Sequence, residues 1–185
     1  MSIVPRSKPQ ASEDLVRRVL ARAGVHDLVA LVGVRGYYLD TMGEKGANDR
    51  GIYDDAIFLV TPAGMMRYNA NTDPSVARRR VAVLVPGLWR YRLGIHGLSK
   101  PKEKQYEALV QAAVVTVDRD EVDADSTGWF GINIHRGSYR TTSSLGCQTI
   151  YPAQWPAFIE SVRGAMKEHG QRTVPYLLVD VTDLP

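Results

Sequence analysis

The sequence predicts a β-rich α+β domain, and three observations predict it. Many short runs of β-branched and aromatic residues are punctuated by Gly, Pro, Asn and Asp. Only two stretches carry a helical period. The length, 185 residues, suits one domain whose core is large enough to fold without disulfides or a structural metal.

The elements follow in order. Residues 1–10, with Pro5 and Pro9, read as a flexible lead-in, and residues 11–185 as one domain. Ser12 is placed to N-cap a helix, Glu13 and Asp14 suit its positive end, and Gly24 stops it. Leu15, Val16, Val19, Leu20 and Ala23 share one face, so this helix packs on something. Residues 27–38 hold a strand centred on Leu28–Val34, and 40–55 read as a polar, Gly-rich loop. The runs 57–61 and 65–69 flank Pro62-Ala63-Gly64 as a hairpin, and 81–85 and 88–95 lie around Pro86-Gly87 as two more strands. Further strands are expected at 114–117 and 129–135. Trp155, Phe158, Ile159, Val162 and Met166 fall on one helical face, with Pro156 in the first turn and Gly170 past the end. Residues 173–181 close the chain as a strand.

The net charge of +3 and a pI near 9.0 fit an anionic partner without naming one. The run Arg78-Arg79-Arg80 leads into the apolar 81–85 and reads as a solvated strand start. No aromatic–basic interleaving marks a nucleic-acid surface, so none is expected. There is one cysteine, which excludes an intrachain disulfide. No stretch approaches the roughly 20 apolar residues of a membrane span. The N-terminal residues lack the apolar core of a signal peptide. These features imply synthesis in the cytoplasm, with another route of delivery if the substrate lies outside.

The chemistry concentrates in 131–149. On a strand, Ile132 and Ile134 would point to the core, while Asn133 and His135 share the other face. A polar connection follows, then Ser144-Leu145-Gly146-Cys147-Gln148-Thr149. Gly146 permits a tight turn just before Cys147, as a nucleophile needs if nearby backbone N–H groups are to hold an oxyanion. A free thiol is only a few per cent ionised at neutral pH, so attack on a carbonyl needs a base, and His135 is the candidate. The eleven residues between them allow the two to meet across adjacent strands. His96, in Gly94-Ile95-His96-Gly97, ends a strand and is a second candidate for the site, as substrate-binding group. His26 and His169 sit at helix ends. A zinc site of His96, His135 and Cys147 lacks any short ligand pair, so neither metal nor cofactor is expected.

His135, the polar connection and Ser144-Leu145-Gly146-Cys147 resemble the signature of the L,D-transpeptidase catalytic domain, in which a strand-borne His precedes a Ser-x-Gly-Cys turn. Papain-like wall hydrolases have the opposite order, Cys before His. The resemblance spans 84–151 loosely and 131–149 specifically. It implies a β-sandwich of mixed sheets, with one helix at the N-terminus and one after the cysteine. It further implies that Cys147 is the nucleophile and His135 its base, that Gly146 shapes the turn, and that a peptidoglycan stem peptide is held as a thioester. The sequence departs from the family pattern in three places. The His–Cys gap is short, Leu145 replaces a second His, and Gln148-Thr149 replaces an apolar residue and a carboxylate-binding Arg or Asn. Arg136 or Arg140 is then expected to supply the missing charge, with Ser144 and Asn133 as further substrate contacts.

With no acceptor-side cation in the motif and no signal sequence, the expected activity is hydrolysis: an L,D-peptidase resembling phage lysis proteins or delivered antibacterial toxins. The alternatives are a transpeptidase that cross-links or exchanges D-amino acids, and an inactive wall-binding or virion structural domain. An active site is expected to show as a cysteine of low pKa. The sequence leaves the oligomeric state open.

Overall fold

The computed structural model describes residues 2–184, the side chain of Asp123 excepted. Two helices and eleven strands alternate as α1 (Glu13–Arg22), β1 (Ala30–Arg35), β2 (Asp55–Thr61), β3 (Gly64–Asn71), β4 (Ala82–Leu84), β5 (Gly87–His96), β6 (Tyr106–Gln111), β7 (Val115–Arg119), β8 (Val122–Gly128), β9 (Ile134–Arg136), β10 (Gln148–Ile150), α2 (Trp155–Glu168) and β11 (Val174–Asp180). The β-rich α+β class is as the sequence predicts. No helix among the described residues is long and apolar enough to cross a membrane.

The main sheet is mixed and closes on itself in the order β1-β11-β5-β6-β9-β10-β3-β2, an eight-stranded barrel rather than two facing sheets. Closure depends on β9 and β10, three residues each, which bridge β6 to β3 and pair in parallel with each other. The other parallel pair is β1 with β11. A separate sheet, β4-β7-β8, sits beside the barrel.

Two apolar clusters cover opposite faces of the same strands. Val16, Val19 and Leu20 of α1 pack on Ala30, Val32, Val34, Phe58 and Val60. Trp155, Phe158, Ile159, Val162 and Met166 of α2 pack with Leu31, Ile57, Leu59 and Tyr176. Because both faces of β2 are covered, all seven of its residues are buried. Both helices match their sequence signals. Ser12 Oγ accepts from Leu15 N, and α2 starts at Trp155 with Pro156 in its first turn. The buried face of α1 is narrower than its period suggests, since Ala23 is exposed.

The hairpin of β2 and β3 forms, with Thr61 paired to Gly64, but β2 begins at Asp55, inside the expected loop. Residues 82–84 and 87–96 do not pair with each other. Instead β4 joins the outer sheet and β5 the barrel, parting at Pro86, which cannot donate to a ladder. The strand expected at 129–135 reduces to Ile134–Arg136, because Gly131 takes a φ of +71° and breaks the extension. Strands β6 and β8 escape the sequence reading. The segment 122–128 is too polar to signal a strand, and its pairing to β7 is decided across the hairpin at Glu121. The lead-in lies along the barrel: Ile3 O accepts from Tyr53 N at 2.8 Å, and Ser7 O from Tyr38 Oη and Asn69 Nδ2 at 3.0 Å each.

A buried acidic group ties the 36–54 loop to the strand ends. Asp55 accepts from Gly36 N, Thr72 N and Thr72 Oγ1, and Asp73 pairs with Arg35 at 3.3 Å. Asp54 is fully buried, and its Oδ1 has no partner among the described residues. Burial first, then repulsion from Asp55 on Asp54 and from Asp73 on Asp55, pushes both carboxyls up. A carboxyl with a raised folded pKa keeps its proton while the unfolded chain has released it, so stability falls as pH rises from the ordinary carboxylate range toward neutrality. Asp54→Asn cannot ionise and should flatten that slope by up to about 1.4 kcal/mol per pH unit. Urea midpoints at pH 5, 6, 7 and 8 check this, and parallel slopes for the two proteins would contradict it.

Candidate functional site

A cleft of about 910 Å³ opens where the end of β5, the 97–100 turn, the 129–133 segment, β9 and the 143–147 turn meet. Cys147, His135, His96 and Asn133 all line it. Four of the residues singled out in the sequence therefore share one cavity.

The turn before Cys147 is rigidly built. Gly146 has a φ of +125°, and a Cβ there would lie 2.5 Å from Ala82 O, so only glycine fits. Ser144 Oγ accepts from Gly146 N at 3.0 Å and donates to Cys147 O at 2.6 Å. Ser75 brackets Ser144 by two further bonds, Ser144 N to Ser75 Oγ at 2.7 Å and Ser75 N to Ser144 O at 2.9 Å. Ser144 is buried, and its hydroxyl shapes the turn rather than facing the cleft.

The parallel register pairs Gln148 with Ile134 and Thr149 with His135. Continued one residue back, it sets Cys147 abreast of Asn133 and one side-chain step from His135 on the same face. The contacts agree: Asn133 N donates to Cys147 Sγ at 3.4 Å, and Sγ donates to Gly131 O at 3.5 Å. Ile132 and Ile134 point to the core, as alternation predicts. The two strands are adjacent but parallel, so the 137–147 connection crosses over instead of forming a hairpin.

His135 and His96 stack, with ring centroids 4.1 Å apart and planes at 21°. His135 Nδ1 lies 2.8 Å from Arg136 O. A carbonyl only accepts, so the proton sits on Nδ1 and Nε2 keeps its lone pair. Tyr106 Oη, 3.3 Å from both Nδ1 and Arg136 O, closes this corner. His96 Nδ1 lies 3.2 Å from the Asn133 amide nitrogen, a donor, which puts the His96 proton on Nε2. The pair thus holds complementary tautomers. Burial first, then the His96 ring, pushes His135 down to about 3. Burial first, then Lys100, lowers His96.

Cys147 departs from the low-pKa expectation. Burial pushes its thiol up, with the Asn133 N–H and Lys100 acting in the opposite direction. Among the described residues no hydrogen bond joins its sulfur to either imidazole. The resting site is a neutral thiol beside neutral imidazoles, not a thiolate–imidazolium pair.

The charge expected from Arg136 or Arg140 lies elsewhere. Arg136 is exposed, its guanidinium over the Tyr106 ring at 5.0 Å, and neither arginine lines the cleft. Gln148 and Thr149 are fully buried, and Gln148 bonds Gly146 O and the Tyr176 hydroxyl, so neither can bind a substrate. The cleft cations are Arg92 and Lys100, and among the described residues neither pairs with a carboxylate. Sequence reasoning missed both. Lys100's signal was its place in the turn directly after His96. Also missed was an apolar rim of Trp129, Leu145 and Leu98, exposed by 65%, 69% and 74%. Among the described residues no three His, Cys, Asp or Glu side chains are gathered to hold a metal ion.

The neutral resting pair gives a direct expectation. Alkylation of Cys147 by iodoacetamide should rise along one curve with a midpoint above that of an ordinary thiol, roughly 8.5. A plateau or step between pH 5 and 7 would instead reveal a preformed ion pair. Comparisons with family models, with curated proteins and with solved structures give no match for this chain.

Proposed function

We propose that the protein is a cysteine-dependent hydrolase that cleaves peptidoglycan stem peptides through a Cys147 thioester. One observation carries the reading: a half-buried thiol shares a cleft with a histidine whose proton is fixed on Nδ1, leaving Nε2 as a base. The resemblance of Ser144-Leu145-Gly146-Cys147 and His135 to the L,D-transpeptidase signature supports the substrate class.

The steps follow from those groups. Cys147 Sγ attacks the scissile carbonyl carbon as His135 Nε2 takes the thiol proton. The tetrahedral oxyanion meets a donor of the cleft wall, the His96 Nε2–H. Its collapse breaks the C–N bond, and the imidazolium gives its proton to the leaving amine. Water then attacks the thioester, passing a proton to His135. The C–S bond breaks, the acid product leaves, and Cys147 regains its proton. The balance is one peptide bond and one water in, one acid and one amine out. Because neither partner is charged at rest, no ion pair has to be dispersed when substrate displaces water.

Lys100 and Arg92 supply positive charge for a substrate carboxylate, and the Trp129, Leu145 and Leu98 rim supplies apolar contact. The same cations favour a second reading. The preference for hydrolysis assumed that no cation could hold the carboxylate of an amine acceptor, whereas Lys100 and Arg92 line the cleft. Transpeptidation by the same thioester is therefore the alternative outcome.

Cys147→Ser should abolish turnover with the fold intact, and His135→Ala should cost roughly 10²–10⁴ in kcat. Full activity in the serine variant would overturn the mechanism. Lys100→Ala should raise KM, whereas Arg140→Ala should leave it unchanged; the reverse result would place the carboxylate on the 137–147 connection. Muropeptides incubated with excess D-amino acid and read by mass decide the rest. Trimmed products support hydrolysis, exchange products the transferase, and binding without products an inactive wall-binding domain.

A further inference from the structure

We infer that Gln111 is a positioning residue for Cys147, a buried amide that staples the irregular 129–132 segment to the end of β8, so that Gly131 O and the following Asn133 N grip the sulfur from two sides. Gln111 ends β6 and is 5% exposed. Its Nε2 donates to Ala113 O and Gly128 O, both at 3.0 Å, and its Oε1 accepts from Phe130 N at 3.1 Å and Ile132 N at 3.0 Å. One side chain thereby makes all four hydrogen bonds an amide offers, two of them to the 129–132 segment, which belongs to no strand, and one to the last residue of β8.

That stretch carries the groups that hold the thiol. Gly131, between the two clamped amides, presents the carbonyl that accepts from Cys147 Sγ, and Asn133 N, one residue beyond, donates to it. The Asn133 side chain also fixes the His96 tautomer, and Asn133 O accepts from Gln148 N at 2.8 Å. With Gly131 at a φ of +71°, the segment cannot be held by a β-ladder and needs side-chain support. Gln111 supplies it from the neighbouring strand, inside the cleft lining. The catalytic part of this role rests on the hydrolase reading; the part concerning the thiol does not.

Gln111→Met keeps the length and apolar stem but removes every bond. With the segment loosened, water reaches the sulfur and relieves the burial that is the largest cause of its raised pKa, outweighing the lost Asn133 N–H bond, so the alkylation midpoint should fall by about one pH unit, a roughly tenfold faster reaction at neutral pH. Turnover of muropeptides should move the opposite way, with kcat down at least tenfold and KM little changed. Val19→Ala in α1, far from the cleft, serves as a comparably destabilised control and should leave the midpoint in place. A folded Gln111→Met protein with the wild-type alkylation profile would overturn the proposal. If that variant does not fold, amide exchange in the wild-type protein decides. Phe130 and Ile132 should exchange slowly although they lie outside every strand, and rapid exchange there would equally refute the staple. Absence of muropeptide turnover in the wild-type protein would count against the hydrolase reading alone.

Discussion

Everything at the site depends on the parallel pairing of two three-residue strands. β9 and β10 close the barrel, and their register sets Cys147 beside Asn133 and His135. So short a pair has few ladder bonds of its own, and parallel strands need a crossover. The crossover is pinned instead by side chains from distant parts of the chain. Tyr53 Oη donates to Ser138 O at 2.7 Å, and Ser75 Oγ bonds Thr142 Oγ1 at 2.7 Å. Gly137 is required where it stands, because a Cβ there would meet the Tyr53 hydroxyl at 2.1 Å. The barrel and the turn that carries Cys147 are in this sense one construction.

The second consequence of closure is dryness. His135 is 5% exposed, and its environment favours the neutral ring strongly. The thiol is pushed the same way, toward its uncharged form. Burial makes a charged resting pair expensive, since it disfavours the imidazolium and the thiolate alike. Lys100 lowers both histidines and the thiol, so one cation favours the neutral ring and the ionised sulfur together.

Protonation also links the site to the stability of the whole. His135, with a folded pKa near 3 against about 6.5 in the unfolded chain, stays neutral where the unfolded chain binds a proton. Its contribution is present above about pH 6.5 and is lost as pH falls toward 3. The Asp54 and Asp55 carboxyls act in the opposite sense, weakening the fold as pH rises through their raised range. The two effects oppose each other over the acidic range, where their windows overlap.

The sequence alone determined what is local. The caps of α1, the stripe of α2 and the β2–β3 hairpin are fixed by side chains within a few residues of one another. So is the alternation that turns Ile132 and Ile134 inward and Asn133 and His135 outward. Gly146 before Cys147 was legible for the same reason: a backbone conformation only glycine tolerates leaves its mark in the sequence. What spans the chain was decided by the tertiary structure. Closure of the barrel rests on pairings between residues 30–35 and 174–180, and no local pattern encodes a partner at that separation. The polar 122–128 becomes a strand only because β7 offers it a ladder. Gln148 and Thr149 follow the cysteine directly in sequence, yet lie in the core, since β10 is covered on both sides. The charges at the cleft come from Arg92 and Lys100, brought there by the fold of β5 and its turn, and the neutrality of Cys147 and His135 comes from burial. Burial depends on every neighbour at once, which is why a motif can name the candidate groups but not their protonation.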